Sequence, residues 1–370
     1  MIKCDKQKAM NNFKLTYSLI YLLPMFLFLG VGCTSESEEI QPDDTETNLP
    51  ISWSVQSVQE KETRALVDGT VLQNLCMETA DGTNESIGIW GRYVFMDEET
   101  GVKTEEEVFT ATPLTYALQD DTYVWRYTGE LRYWVPEAVY DFRACYPQKV
   151  VTSLMTQMDA TMFQGGPINT EVLQEDILVS AIQVDTKTAD LTNPVPLNFQ
   201  HVFAALKFKV KAASGFNPPT GEGITSCWLQ NETAATDLFS PSGYLVYSSD
   251  ITWRPYESST APMYLWKHRG LSFNSEVELY TSNSGQDGEV YTGNGGWLLV
   301  VPQQVKAGTL NFCYTMKEMG DKVFSVKIPA ITYEPGKKYS YMLEIDGSDM
   351  ELILTIEPWN KLDISYDIKV

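Results

Sequence analysis

Histidine is scarce in this chain, and the spacings that build metal and redox sites are absent. Only His201 and His268 occur among 370 residues. The sequence has no C-x-x-C or H-x-x-H spacing, which excludes the common local zinc and dithiol motifs. It has no G-x-S-x-G either, so nothing local indicates a serine hydrolase. We therefore expect no metal, no cofactor and no catalytic residue.

Positive charge and long helices are scarce as well. There are 27 lysines and arginines against 49 aspartates and glutamates, a net charge of −22. This excess repels phosphate backbones and anionic headgroups, which excludes nucleic acid as a partner. No capped, helix-periodic stretch of about a dozen residues follows residue 33. Hydrophobic content of 43% is enough for packed cores, so global disorder is excluded.

An apolar run at 15–31 ends in Gly30, Gly32 and Cys33. The run is near the lower limit of roughly 17 residues for a membrane span, and Pro24 interrupts it, so it is typical of a secretion signal. Its end resembles a bacterial lipobox, in which the cysteine receives the lipid, here a palmitate-type acyl chain, and becomes the mature N-terminus. Residues 1–33 are therefore predicted to be a lipoprotein signal peptide with Cys33 as the lipidation site.

Residues 34–49 are predicted to be an acidic tether, because they are polar and have no apolar periodicity. Glu36, Glu38 and Glu39 resemble the signal that sends Bacteroidetes lipoproteins to the outer face of the outer membrane. The alternative is an ordinary acidic linker. The predicted location is the cell outer membrane, as a surface-exposed lipoprotein that could be released into a fimbrium.

Four cysteines remain after Cys33, and their spacing is wide and irregular: Cys76, Cys145, Cys227 and Cys313. An even count in an exported chain permits disulfides, and four cysteines allow three pairings. Each also lies among apolar residues, where a buried thiol is stable. We favour buried thiols.

Short runs of alternating or β-branched residues predict an all-β protein. Apolar and polar residues alternate clearly at 206–211, where lysines occupy one face. Predicted strands lie at 51–55, 87–95, 123–127, 140–146, 206–211, 297–301, 310–314, 323–328, 339–345 and 352–356. Turn signals rich in glycine, proline and asparagine separate them, which is typical of antiparallel sandwiches.

The segment at 186–197 predicts a seam between two domains. Pro194 and Pro196 cannot donate ladder hydrogen bonds, so the stretch suits a connector better than a sheet interior. We predict an N-terminal β-sandwich domain at 50–190 and a C-terminal one at 191–370.

The segment L-N-F-Q-H-V-F-A-A-L-K-F at 197–208 resembles a strand motif of the Bacteroidetes fimbrillin superfamily, the subunits of type V pili. Further resemblance lies at 133–134 with 140–147, 176–179, 301–303, and 335–341 with 356–359. The resemblance implies two tandem transthyretin-like antiparallel β-sandwich domains. It also implies a pilus subunit or accessory adhesin whose partners are other pilus subunits.

The resemblance gives a role to residues 51–64. In polymerising type V pilins an arginine-specific protease cuts after the first strand, and a strand from a neighbouring subunit fills the groove that this opens. Carried over to this chain, the cut falls between Arg64 and Ala65. The alternative is that Thr63-Arg64-Ala65 is only a loop in an uncut protein.

The C-terminus is a candidate donor strand. Its apolar residues alternate with polar ones through the last position: Leu362, Ile364, Tyr366, Ile368 and Val370. The alternative is a closing strand of the chain's own C-terminal sandwich. Stalk, tip and anchor roles all stay open.

Two other functions are compatible with the sequence. Nine tryptophans could form sugar-stacking platforms in a glycan-binding surface lipoprotein, although aromatic residues in a sandwich usually belong to the core. A hydrolase whose site is assembled only in space ranks last. His201 lies in the strand motif and is expected to be a structural, hydrogen-bonded imidazole.

Overall fold

The structure, a computed structural model, describes residues 49–56, 69–79, 85–217, 223–233, 238–256, 263–271, 276–279, 297–316, 323–346, 349–358 and 368–369. Among the described residues, no helix has both the length and the apolarity needed to cross a membrane.

The described part of the chain is built mainly from strands, and two helices of seven residues each interrupt them. The elements up to the seam are β1 (Trp53–Gln56), α1 (Gly69–Leu75), β2 (Ile87–Met96), β3 (Lys103–Gln119), β4 (Thr122–Tyr127), β5 (Ala138–Tyr146), α2 (Gln148–Leu154), β6 (Met155–Met158), β7 (Phe163–Asn169) and β8 (Leu178–Asp185).

The remaining elements are all strands. They are β9 (Val195–Asn198), β10 (Gln200–His201), β11 (Ala204–Ala212), β12 (Ile224–Asn231), β13 (Ser242–Tyr247), β14 (Ile251–Tyr256), β15 (Met263–Leu271), β16 (Val277–Leu279), β17 (Leu298–Val300), β18 (Gln303–Val305), β19 (Leu310–Met316), β20 (Val323–Lys327), β21 (Ile331–Tyr333), β22 (Lys337–Asp346), β23 (Asp349–Pro358) and β24 (Ile368–Lys369).

The predicted all-β class is confirmed, and a strand forms at every position where the alternation predicted one. The reason is visible in β11. Leu206, Phe208 and Val210 are buried, whereas Lys207 and Lys209 between them are half-buried and point to the other face. Burial of one face thus sets the strand's orientation.

Most described strands pair antiparallel. The N-terminal half forms a six-stranded sheet in the order β10-β8-β5-β2-β3-β4. In the C-terminal half β16-β11-β22-β23-β24 form a sheet that β17 joins through β11, and β15-β12-β19-β20 form another. A third, β14-β13-β7-β6, takes strands from both halves. Among the described strands only β1 with β9 and β11 with β22 pair in parallel.

Three buried clusters hold these sheets together. The cluster we call the N-terminal core takes its residues from positions 51 to 199. The C-terminal core takes its residues from positions 204 to 345. A third cluster joins residues from both stretches, including Trp90 and Phe163 from the first and Phe203 and Leu299 from the second.

The seam departs in part from the prediction. Residues 195–198 form strand β9 instead of continuing as a connector. Pro196 is tolerated because β9 belongs to a two-stranded ladder with β1 and not to a sheet interior. Val195, Leu197 and Phe199 pack into the N-terminal core.

Candidate functional site

The candidate site is the place of the first described strand. The β1 residues Trp53 to Gln56 pair in parallel with β9, with Trp53 opposite Val195. Just before the strand, the Ile51 N–H donates to the Arg132 carbonyl at 2.8 Å, and the Trp134 N–H donates to the Leu49 carbonyl at 3.1 Å. The segment 49–56 is therefore hydrogen-bonded to residues 132–134 at its start and to β9 further along.

The apolar side chains of this segment point into the N-terminal core. Ile51 is 2% exposed and Trp53 is 4% exposed, whereas Ser52 between them faces solvent. The Trp53 ring packs edge-on against Phe142 at 5.0 Å and against Phe109 at 5.5 Å between ring centroids. We call the space that Ile51 and Trp53 fill the β1 slot.

A glycine makes room for the walls of the slot. A Cβ atom at Gly91 would lie 2.7 Å from a ring carbon of Phe142 and 3.0 Å from one of Phe109. The first distance is shorter than real Cβ contacts and the second is tighter than most, so any larger residue at position 91 would push the two rings away from β2. The alternation of β5, which carries Phe142 with Tyr140 and Ala144, turns the same face toward the slot.

The core around the slot contains hydrogen-bond donors that lack acceptors. The indole N–H groups of Trp53, Trp125 and Trp134 are buried and have no hydrogen-bond acceptor among the residues that the structure describes. All three residues belong to the N-terminal core. A buried donor without a partner costs roughly 1–3 kcal/mol. Strand β1 thus fills the slot with apolar side chains but provides no acceptor for these N–H groups.

The predicted processing residues lie outside the described part of the chain. The strand ends at Gln56 and helix α1 begins at Gly69, and the predicted cut between Arg64 and Ala65 falls between them. The predicted lipidation site, Cys33, also lies outside the described residues.

The predicted donor strand is described only at its end. Leu362, Ile364, Tyr366 and Val370 lie outside the described residues. Ile368 belongs to β24, where it pairs antiparallel with Leu354, and Lys369 pairs with Ile353. These two residues therefore lie at the edge of the chain's own C-terminal sheet.

His201 is a buried structural residue, as its position in the strand motif predicted. Its Nδ1 atom lies 2.8 Å from Oδ2 of Asp176, and both side chains are almost fully buried. Asp176 lies just before β8 and His201 lies on β10, the strand that pairs with β8. The buried hydroxyl of Ser180 on β8 has no hydrogen-bond partner among the described residues.

The four described cysteines are free thiols in the interior, as we favoured. Burial raises the pKa of Cys76 to about 12 and that of Cys313 to about 11, and nearby carboxylates add to the effect. Burial also raises the pKa of Cys145 and of Cys227. Thiols with such pKa values are weak nucleophiles near neutral pH.

A cavity of about 260 Å³ lies between β2, β3 and the turn at 159–161. Its rim carries Glu105, Glu106, Glu107 and Asp159, and Arg92 forms ion pairs with Glu105 and Asp141. Burial opposes ionisation of Asp159, yet hydrogen bonds from Thr161 and Gln157 outweigh it and lower the pKa to about 2. Within the described residues, no group of three or more histidines, cysteines and carboxylates is arranged to hold a metal ion.

Most of the tryptophans with described side chains are core residues. Trp253 is half-buried and donates its indole N–H to the Val202 carbonyl at 2.7 Å. The buried ones are Trp53, Trp90, Trp125, Trp134, Trp228 and Trp297. These side chains do not form a solvent-exposed platform for sugars.

Sequence reasoning found β1 but missed its surroundings. Strand β9 was hidden because its proline argued against a ladder, and the walls Phe109 and Phe142 come from strands about 50 to 90 residues further along the chain. The one sequence signal that pointed toward this wall is the alternation of aromatic and polar residues along β5, at Tyr140, Asp141, Phe142 and Arg143.

The comparisons with known proteins cover most of the chain. A fimbrillin-like family model matches residues 63–359, which confirms the resemblance drawn from the strand motif. A fimbrial protein from Bacteroides vulgatus superposes with a TM-score of 0.56 at 15% identity, over 84% of this chain and 99% of its own. At that identity the likeness concerns the fold alone.

Two further solved structures are more distant. A Bacteroides uniformis protein assigned to cell adhesion gives a TM-score of 0.48 at 15% identity, over 85% of this chain and 99% of its own. The tip fimbrial protein Mfa3 from Porphyromonas gingivalis gives 0.35 at 14% identity, over 75% and 95%. No curated protein sequence matches the chain.

Proposed function

The chain belongs to the fimbrillin-like family, and on that premise we propose that it is a pilus subunit or accessory adhesin assembled by strand exchange. In this proposal a protease removes residues 51–64, and a strand from a neighbouring subunit takes the place of β1. The partners are therefore other pilus subunits and an arginine-specific protease.

The observation that carries the proposal is the position of β1. Its side chains belong to the N-terminal core, yet its backbone ladder is only four residues long and pairs with one strand, β9. A strand of this kind can be withdrawn without breaking the six-stranded sheet, because it is not part of it. The protein then keeps its fold and acquires an open groove.

The energetic consequence favours assembly. Withdrawal of β1 opens the aromatic wall of Phe109 and Phe142 to water and leaves the backbone edge of β9 unpaired. Truncation of a buried tryptophan typically costs about 3–5 kcal/mol, which indicates what an incoming strand regains by filling the same space. An added strand also satisfies the edge hydrogen bonds, as in other cases of β-strand addition.

The proposal includes export as a lipoprotein held in the outer membrane through Cys33. Its support is the apolar run, the small residues before Cys33 and the acidic residues after it. The test is metabolic labelling with a palmitate analogue in the native host. Label that is present on the chain and lost in Cys33→Ser supports anchoring, whereas equal label in both contradicts it.

Cleavage and assembly are tested on the purified precursor. We expect an arginine-specific protease to produce a new N-terminus at Ala65, read by mass spectrometry, and a ladder of oligomers on a gel. The matched control is Arg64→Lys, which keeps the positive charge but removes the specific cleavage site. An uncut chain, or a cut chain that stays monomeric, contradicts polymerisation by this route.

A non-polymerising surface lipoprotein, either a pilus anchor or a glycan-binding module, is the second candidate. One observation favours the glycan-binding form. At the end of the β3–β4 hairpin, Tyr123 is 43% exposed and stacks on Tyr116 at 5.5 Å, and Leu118 beside them is also exposed. If this patch binds sugars, Tyr123→Ala abolishes retention on a glycan array without changing the melting temperature.

A further inference from the structure

Arg132 is the one arginine in the described part of the chain that lies outside a strand. Every residue from 128 to 133 is exposed, so the side chain and the backbone before it are accessible. The other described arginines belong to β2, β4, β5, β14 and β15: Arg92, Arg126, Arg143, Arg254 and Arg269. Because proteases cut most readily in exposed segments that are not part of a ladder, position 132 is the described arginine best placed for cleavage.

The peptide bond that follows Arg132 is paired with the segment that contains β1. Its carbonyl accepts a hydrogen bond from the Ile51 N–H at 2.8 Å, and two residues further along the Trp134 N–H donates to the Leu49 carbonyl at 3.1 Å. Hydrolysis requires that this carbonyl oxygen turn toward donors of the protease, which stabilise the negative charge that develops on it. The bond is therefore protected while Ile51 occupies the β1 slot.

We propose that the bond between Arg132 and Tyr133 is a second cleavage site for the arginine-specific protease, and that this site is accessible only when the β1 slot is empty. Hydrolysis adds one water molecule across the bond and leaves a carboxylate on Arg132 and an amine on Tyr133. A subunit with an empty slot is cut again, whereas a subunit whose slot is refilled is spared. The inference rests on the proposed function, which supplies the protease and the removal of β1.

The contacts that remain after removal of β1 leave the Arg132 carbonyl free. The Arg132 N–H donates to the Tyr127 hydroxyl at 2.8 Å, and the Tyr140 hydroxyl donates to the Tyr133 carbonyl at 3.4 Å. Neither bond involves the carbonyl that is attacked. The Trp134 ring stays packed edge-on against Tyr140 at 4.8 Å between centroids. The chain is thus anchored just after the cleavage site, and the exposed stretch before it can adapt to the protease.

Refilling of the slot restores the protection through the backbone. Any strand that lies beside residues 132–134 as β1 does presents an N–H at the position of Ile51, unless it has proline there. The second cut separates β4 from β5, but the eight residue pairs between β2 and β5 still join the two fragments. A chain cut at this site therefore keeps its native size in solution and shows the cut only after denaturation.

The order of the two cuts is measured on the full-length precursor with an arginine-specific protease. Mass spectrometry of the denatured products over time should detect the N-terminus at Ala65 first and the one at Tyr133 second. Arg64→Lys prevents the first cut and should slow the second at least about 10-fold, whereas Arg132→Lys should abolish the second. Arg126 is the internal control, because its side chain is exposed but its backbone is paired within β4, and it should stay uncut.

Refilling is tested with a synthetic peptide of residues 49–56, L-P-I-S-W-S-V-Q, added in excess to the cut chain. The peptide contains no arginine, so the protease leaves it intact. It should slow the appearance of the Tyr133 N-terminus about 10-fold or more. The matched control is the same peptide methylated on the nitrogen of Ile51. It lacks the N–H that binds the Arg132 carbonyl and should protect the bond less. Equal rates with and without the unmodified peptide would overturn the inference.

A second set of variants tests the protection without the first cut. In the Arg64→Lys chain, Trp53→Ala weakens the packing of β1 and should speed the appearance of the Tyr133 N-terminus at least about 10-fold, because brief openings of β1 expose the bond. The matched control is Tyr341→Ala in the C-terminal core, which should speed it less than about 3-fold. If cleavage required global unfolding, the two substitutions would act alike.

The outcomes separate this inference from the function on which it rests. A chain that is cut at Arg64 and releases its first fragment, yet gives no N-terminus at Tyr133, overturns the inference and leaves strand exchange standing. Equally fast cleavage at Arg132 in the precursor and in Arg64→Lys overturns it as well. A precursor that is not cut at Arg64 contradicts the proposed function. The comparison of Trp53→Ala with Tyr341→Ala then decides the inference by itself, and equal rates for the two overturn it.

Discussion

The two parallel strand pairs in the described part of the chain differ in length and in the number of neighbouring strands. The β1–β9 pair has four residue pairs, whereas the β11–β22 pair has eight. Strand β22 also pairs with β23 on its other side over ten residues, so it lies inside a sheet. Apart from β9, the described partners of segment 49–56 are a bridge from Pro50 to Tyr133 and two backbone hydrogen bonds with residues 132 and 134.

The aromatic side chains of the two strand pairs also differ in their hydrogen bonds. In the C-terminal core Phe208 stacks between Phe312 at 4.9 Å and Tyr341 at 5.0 Å. The Tyr341 hydroxyl is hydrogen-bonded to that of Tyr333 at 2.8 Å. The corresponding aromatic residue of β1, Trp53, has good ring contacts but no partner for its N–H. Equal burial therefore occurs both in a strand that lies inside a sheet and in a strand that pairs with only one other described strand.

The largest expected effect on stability comes from a substitution in the β11–β22 pair. Tyr341→Ala should lower the free energy of unfolding by about 3–5 kcal/mol, because it leaves a cavity beside Phe208 and removes the partner of the Tyr333 hydroxyl. Urea unfolding followed by fluorescence measures it. The control is Tyr123→Ala at an exposed position, which should stay within about 0.5 kcal/mol of the parent chain. A loss below about 1 kcal/mol at Tyr341 would contradict the comparison.

The next effect concerns β1 itself. In the uncut chain Trp53→Ala should lower the free energy of unfolding by about 2–4 kcal/mol, less than is typical of a buried tryptophan because the substitution also removes the unpaired N–H. After cleavage at Arg64 and release of β1, the substitution should have no effect on stability. Trp53→Phe is the control, because it keeps a ring between the walls and removes the unpaired N–H, and it should cost less than about 1.5 kcal/mol. A Trp53→Ala effect that persists after release would mean that β1 is not the exchanged strand.

A smaller effect compares one thiol from each core. Cys76 belongs to the N-terminal core and Cys227 to the C-terminal core, and both are fully buried. After removal of β1, maleimide labelling of Cys76 should become about 10-fold faster, because its core has lost a strand, while Cys227 should change less than about two-fold. Peptide mass spectrometry of the labelled chain measures both rates in one sample. Equal acceleration at the two sites would indicate global loosening in place of a local opening.

The smallest expected effect concerns Asp159, which lies in a hydrogen-bonded turn beside the cavity described above. The folded pKa of Asp159, about 2, lies below its ordinary value of 3.8, so its contribution to stability is present above about pH 4 and is lost as the pH falls toward 2. Because the side chain is partly exposed, we expect about 1 kcal/mol or less. Asp159→Asn should therefore flatten the dependence of stability on pH between 5 and 2. Parallel curves for the two chains would show that the hydrogen bonds to Thr161 and Gln157 contribute nothing.

Sequence reasoning was effective wherever one face of a strand is buried. Alternation located β1, β2, β5, β11 and β22, because a period of two residues is visible without knowing the partner strand. It missed α1 and α2, since seven residues are too few to establish a helical period. It also took residues 186–197 for a connector, whereas β9 begins at Val195, because the cost of a proline in a ladder depends on which edge of the strand is paired.

The sequence predicts which segment forms the candidate site but not where that segment lies in the fold. That residues 51–55 form a strand, that an arginine follows it and that apolar and polar residues alternate in the tail are all properties of the sequence. The tertiary structure alone decided that this strand runs parallel to β9 and that Trp53 lies between Phe109 and Phe142. Local periodicity depends on neighbouring residues, whereas strand partners and core walls depend on contacts between residues about 50 to 140 positions apart, which only the folded chain brings together.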